Sequence, residues 1–227
     1  MQNFDALRLP GAAERWDEVA ARGEVPLLLI RHGRTAMNAE RRFLGRLDVP
    51  LDEVGRQEAA CVGARLRGLP RAGLYSSPLA RAHQTAITLG DPEPVDDLME
   101  LNQGQLEGLD GPTARARFPD FFDGWAQDPA DVRVPGGETL SECRARAVAT
   151  LSAIAARHRP GPPVIIVSHQ MVLATALLHT LGQPLARFRE LQLGNCSVSV
   201  MAHSAAGLRV VSVDDRQHIR LAGSPDP

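Results

Sequence analysis

Three short apolar runs, each breaking off into the start of a helix, constrain the fold of this chain more than any other feature. "VPLLLI" (25–30) ends at Arg31-His32-Gly33, "AGLYSS" (72–77) leads into "PLARAHQTAITL", and "PPVIIVS" (162–168) leads into "HQMVLATALLHTLG". Ser77 is expected to cap the second helix, with Pro78 as its first residue, and Gly182 and Pro184 mark the end of the third. Val-, Ile- and Leu-rich runs joined through helices predict parallel strands buried on both faces. Segments 51–69 and 138–158 carry apolar residues at helical spacing. "NCSVSVMAH" and "LRVVSVDD" alternate around "SAAG" and predict a hairpin at one sheet edge. The expected fold class is α/β, a three-layer α/β/α sandwich with a mostly parallel central sheet and an antiparallel edge. Residues 1–24 read as an N-terminal extension with room for an extra helix, 25–220 as the main domain, and 221–227 as a flexible tail. Neither an internal repeat nor a low-complexity tract is visible.

Composition mainly excludes. The formal charge of −2 gives no global field to draw in nucleic acid or an anionic membrane. No apolar run approaches the roughly 18 residues of a membrane span, and the charged N-terminal stretch has no signal-peptide core. Cys61, Cys143 and Cys196 are odd in number and far apart, which predicts reduced thiols, a cytoplasmic location and no zinc site. All 25 Lys+Arg residues are arginine, so a Walker-A loop, a Schiff-base lysine and a Ser–Lys dyad are impossible. Arginine keeps the ability to grip phosphate with a rigid two-pronged fork.

Ligands of open α/β sheets bind at the carboxyl ends of the strands, where helix N-termini present free N–H groups. Set side by side on that edge, the three transitions deliver Arg31 and His32, then Arg81, then His169. A single histidine at a strand end is commonly structural; two, accompanied by two arginines, point to an anion site.

"LLLIRHGRTAMN" resembles the R-H-G-x-T-x-x-N signature of the histidine phosphatase superfamily, in the branch that includes cofactor-dependent phosphoglycerate mutase. "GRLDVPLDEVGRQEA", "LYSSPLARAHQTA", "LMELNQGQLEG", "PGGET" and "VIIVSHQ" are similar to further family segments, in the family's order, across about residues 25–200. The resemblance implies a phosphohistidine on His32, clamping of the phosphoryl oxygens by Arg31 and Arg81, a hydrogen bond from His169, and Glu100 as general acid and base. Asp96, Asp97 and Glu107 are the rival carboxylates, and Glu107 is expected to make a structural contact instead. The resemblance further gives Asn38 as a phosphate-contacting amide and Gly45 as a close approach of backbone to ligand; Gly33 is read the same way. No metal and no cofactor are called for. The chemistry suits these residue types, because a neutral imidazole is a competent nucleophile and charge-assisted hydrogen bonds stabilise a transferring phosphoryl group.

Two positions depart from the pattern. Leu44 stands where relatives carry a polar residue, and Gln170 replaces a glycine, so its backbone N–H can face phosphate while its side chain takes up room. "LNQGQLEG" is the short form typical of the family's phosphatases, which favours hydrolysis over mutase transfer. A catalytically idle binding relative and a phosphohistidine-protein phosphatase are both disfavoured by the presence of Glu100. Phe118, Phe121, Phe122 and Trp125 crowd a helical cap insertion at about 109–135. They either wall the pocket or pin the insertion to the body, and Arg115 and Arg117 either meet a second acidic group or are solvated. Arg34 is expected at solvent or the substrate rim. The expected partner is a small phosphorylated metabolite, with no nucleic acid and no membrane, and the edge hairpin and N-terminal helix are candidate surfaces for a homodimer.

Overall fold

The structure, a computed structural model, describes residues 4–221. Its sheet holds β1 (Val25–Arg31), β2 (Gly73–Ser76), β3 (Glu93–Pro94), β4 (Val164–Ser168), β5 (Val198–Ser204) and β6 (Gly207–Asp215) in the order β3-β2-β4-β1-β5-β6. The pairs β3–β2, β2–β4 and β4–β1 are parallel, while β1–β5 and β5–β6 are antiparallel. The expected fold class and edge hairpin are therefore present.

Alternation along the central strands explains the layers. Leu27, Leu29, Val164 and Ile166 face one core, with α7 (Leu140–Ala156) and α8 (Gln170–Thr180) laid over it. Leu28, Ile30, Ile165 and Val167 face the other, under α3 (Glu53–Arg65) and α4 (Ala80–Ala86). Both faces are covered, so these strands read as continuous apolar runs and not as an alternating pattern. Helices α2 (Ala36–Ala39) and α7 begin with capping boxes, of Thr35 with Asn38 and of Thr139 with Glu142, and α8 stops before Gly182, whose φ is 63°.

Two expectations are corrected. The start of α4 lies at Ala80 and not at Pro78: Ser77 Oγ accepts the N–H of Leu79 (3.3 Å), just ahead of the helix, and Asp48 from a distant loop accepts that of Ala80 (2.6 Å). The N-terminal extension is not one helix: Pro10 and Gly11 (φ 74°) divide it into 3-10 turns at Phe4–Leu7 and Ala12–Arg15, then α1 (Trp16–Ala20). Ala12 and Ala13 share a core with Val198 and Val200 of β5, so this chain's own N-terminal segment covers part of the hairpin. Of the tail expected at 221–227, Leu221 ends α9 (Gln217–Leu221) and the remainder lies outside the described residues.

The insertion forms α5 (Gly111–Arg117) and α6 (Pro119–Gln127). Phe118, Phe121, Phe122 and Trp125 pack against the core, with Phe122 meeting Phe43 and Trp125 meeting Phe188. Arg115 and Arg117 lie over the rings of Phe122 and Phe118. The aromatic cluster pins the excursion to the body.

Candidate active site

Register brings the three strand ends to one level. Arg31 is opposite Ser168, Ser76 is opposite Val167, and both His32 N–H (2.9 Å, to Ser168) and Ser77 N–H (3.0 Å, to Val167) donate into the end of β4. A cavity of about 320 Å³ opens there, lined by Arg31, His32, Asn38, Gly45, Arg81, Glu100 and Gln170 among others. Its polar depth is buried, with His32 at 2%, Arg81 at 0% and Glu100 at 7% exposure. Exposed Arg41 and Arg42 stand at its outer wall. His169 is fully buried behind it, its ring centroid 5.0 Å from that of His32.

The hydrogen bond of His32 fixes its chemistry. Nδ1 lies 2.7 Å from the carbonyl of Gly33. A carbonyl only accepts, so Nδ1 carries the proton and Nε2 keeps its lone pair. Burial, then the charges of Arg81 and Arg31, hold the imidazole well below the usual histidine range, so it is neutral near pH 7. The same causes, together with His32, keep His169 neutral. His169 Nε2 pairs with Ser77 Oγ at 2.8 Å.

Arg81 is buried and Arg31 half-buried, each donating to backbone carbonyls. Arg81 donates to Leu47 O (2.8 Å) and Gly45 O (2.7 Å), and burial draws its pKa down to about 10, which still leaves it cationic. Arg31 donates to Leu193 O at 2.5 Å, and burial lowers its pKa as well. Arg31 Nε, Arg81 Nε and His169 Nδ1 are buried without a protein partner. A desolvated donor left unpaired costs about 1–3 kcal/mol, and the two guanidinium Nε–H groups in a cavity shared with His32 suit an anionic ligand.

Glu100 is held by backbone donors. Leu101 N (2.8 Å) and Met171 N (3.2 Å), the latter in the first turn of α8, both donate to its carboxylate. Its carbonyl accepts from Arg46 and Arg146, and both arginines pair with Glu138 of the "PGGET" segment. Glu138 also accepts from Asn102 N (2.8 Å), so this segment anchors the strand-like stretch that carries Glu100. The "PGGET" motif is visible in the sequence but this duty is not, because Arg46 and Arg146 are remote in the chain. Asp96 and Asp97 lie in a 3-10 turn and do not line the cavity.

The remaining expected contacts are more structural than the sequence suggests. Asn38 Oδ1 accepts from Thr35 N–H in a capping box, which leaves Nδ2 as the atom able to donate into the cavity. A Cβ on Gly45 (φ 50°) would fall 2.1 Å from the Glu107 carboxylate, so the glycine is needed for that packing; Glu107 itself accepts from Arg46 N (2.8 Å). Gly33 is needed for backbone packing too, since its Cβ would fall 2.6 Å from Gly55 O. Arg34 pairs with Asp52 (2.8 Å); its side chain stays partly open to solvent and does not line the cavity. Both amide atoms of Gln170 are engaged with the backbone of Leu191 and Leu193. Among the described residues no cluster of His, Cys, Asp and Glu could hold a metal ion, and no helix is long and apolar enough to cross a membrane.

Comparisons with known proteins give the family and agree with the fold. The family model of the histidine phosphatase superfamily (branch 1) matches residues 27–216. A relative named probable phosphoglycerate mutase GpmB, from Erwinia tasmaniensis, is 34% identical over 201 residues, covering 84% of this chain and 93% of its own length. Among solved structures, YhfR of Bacillus stearothermophilus superposes with a TM-score of 0.80 at 32% identity, covering 86% of this chain and 99% of its own. A mycobacterial glucosyl-3-phosphoglycerate phosphatase superposes with a TM-score of 0.74 at 28% identity, covering 84% and 99%. The chain belongs to branch 1 of the histidine phosphatase superfamily.

Proposed function

We propose that this protein is a metal-independent phosphomonoesterase that passes the phosphoryl group of a small phosphorylated metabolite through His32. The observation that carries the reading is the tautomer of His32: with Nδ1 donating to Gly33, a neutral Nε2 lone pair is offered in a cavity flanked by two arginines.

In the first half-reaction Nε2 attacks phosphorus and the ester P–O bond breaks. Glu100, as the carboxylic acid, gives its proton to the leaving alkoxide. In the second, Glu100 as carboxylate takes a proton from water, the water oxygen bonds to phosphorus and the P–N bond breaks, releasing phosphate. Arg31 and Arg81 neutralise the non-bridging oxygens throughout, and His169 donates to the same group. Transfer to water is favoured over transfer to a second substrate by the short run 101–110. It passes from Glu100 into α5 with a single 3-10 turn at Gly104–Leu106, and the outer wall at Arg41 and Arg42 is exposed.

The second reading, mutase transfer, is favoured by the name carried by the 34% identical relative. One experiment separates the two. The protein is given 3-phosphoglycerate with its bisphosphate primer and, separately, p-nitrophenyl phosphate, both with chelator present. Release of free phosphate without isomer, lost in His32→Ala, is expected. Accumulation of isomer would make it a mutase, and phosphate binding without turnover an idle relative.

A further inference from the structure

The two guanidinium groups of the proposed reaction are seated differently. Arg81 is held by two carbonyls, but among the described residues the Arg31 guanidinium has one acceptor, Leu193 O. Leu193 lies in a stretch, residues 191–194, that belongs to no helix or strand, so no ladder fixes this carbonyl. Side chains fix it instead. From within, Gln170 spans the stretch: Nε2 donates to Leu191 O (3.0 Å), and Leu193 N donates to Oε1 (3.0 Å). From without, Asp214 Oδ1 accepts from Gly194 N (2.6 Å), while Oδ2 pairs with Arg8, which also donates to Gln192 O (3.3 Å). Asp214 reaches this position with φ 54°, a conformation rare for a residue with a side chain. Arg8 belongs to the N-terminal segment, before the start of the family match at residue 27.

We infer that Gln170 and the Arg8–Asp214 pair are positioning residues for Arg31, acting through the Leu193 carbonyl. Gln170 is thus a buttress behind a clamp and not a contact to substrate, and the N-terminal segment gains a duty at the site without touching it. An arginine on a flexible stem grips well only when its fork is pre-organised, and a misplacement of about 1 Å can cost on the order of 100-fold in rate. The inference rests on the reading of Arg31 as a phosphoryl clamp.

The test uses the full chain, with inorganic phosphate as a competitive inhibitor and as a titrant in calorimetry. Arg31→Ala weakens phosphate binding. Gln170→Met, which keeps the volume and loses both hydrogen bonds, and Arg8→Met at the half-exposed outer brace each weaken it about 3- to 10-fold. Arg8→Lys restores most of the loss. In an Arg31→Ala background neither Met substitution has a further effect. Equal losses in both backgrounds, or no loss where Arg31→Ala shows one, would overturn the positioning role. Phosphate affinity unchanged in Arg31→Ala itself would overturn the clamp reading instead.

Discussion

His32 and His169 carry the same side chain, lie 5.0 Å apart and are both buried and neutral, yet their hydrogen bonds assign them different work. His32 spends its proton on a backbone carbonyl and exposes a lone pair; His169 is tied to a hydroxyl that can donate or accept. Glu100 differs from both, since its carboxylate lies against two backbone N–H groups. If it shuttles the proton to and from the ester oxygen, Glu100→Gln penalises poor leaving groups selectively. Alkyl phosphates should lose about 100- to 10,000-fold in kcat, and p-nitrophenyl phosphate, whose leaving group needs little protonation, far less. A series of substrates of graded leaving-group pKa measures this, and uniform losses would remove Glu100 from the acid role. Arg31, His32, Arg81 and His169 could be singled out from the sequence because each lies at a strand end or just beyond, whereas Glu100 stood out from Asp96 and Asp97 only through the resemblance of its segment to the family's. Ser77 was legible as a cap, and it does accept from Leu79 N–H, but its bond to His169 was not legible, since that partner is 92 residues away.

At the scale of elements, the site depends on how closely α3 approaches the turn after β1. Gly33 and Gly55 meet backbone to backbone, and a Cβ on Gly55 would lie 1.9 Å from Arg34 O. Backbone cannot rotate away as a side chain can, so Gly55→Ala must push α3 off the turn that holds His32. The expected loss is about 3 kcal/mol or more. Gly182→Ala is the control: its φ is 63°, but nothing lies within 4 Å of the added methyl, so only the left-handed backbone penalty of about 1–2 kcal/mol applies. Urea denaturation of both variants checks the order, and similar losses would refute it. The principal strands and helices were legible because each carries an apolar run or a helical stripe. Strand β3 has two residues and leaves no periodicity to read. The single N-terminal helix failed because Pro10-Gly11 outweighs the apolar spacing around it. The fate of the aromatic insertion was undecidable from sequence, since pinning and pocket-lining need the same residues and differ only in which neighbours, such as Phe43 and Phe188, the fold supplies.

Across the whole molecule, burying histidines in their neutral form makes folding sensitive to acid. His218 displays the linkage most clearly. Its Nε2 donates to Cys196 O (2.9 Å), while Nδ1 accepts from Arg65 (3.0 Å), so a second proton would face a guanidinium. Burial first, then Arg65, brings its pKa down to about 4, against opposing effects of the Cys196 carbonyl and Asp215. In the unfolded chain the ring takes a proton below about pH 6.5. Between pH 6.5 and 4 the unfolded state therefore binds a proton that the folded state does not, and stability falls as pH falls, by about 1.4 kcal/mol per pH unit. His32 and His169 shift in the same direction, so they add to this decline as the pH falls. His218→Gln isolates one share of it, because glutamine can donate to Cys196 O and accept from Arg65 without titrating. Urea midpoints measured from pH 7 to pH 5 should decline less steeply in His218→Gln than in the parent chain. Parallel declines would mean that His218 takes up its proton while still folded.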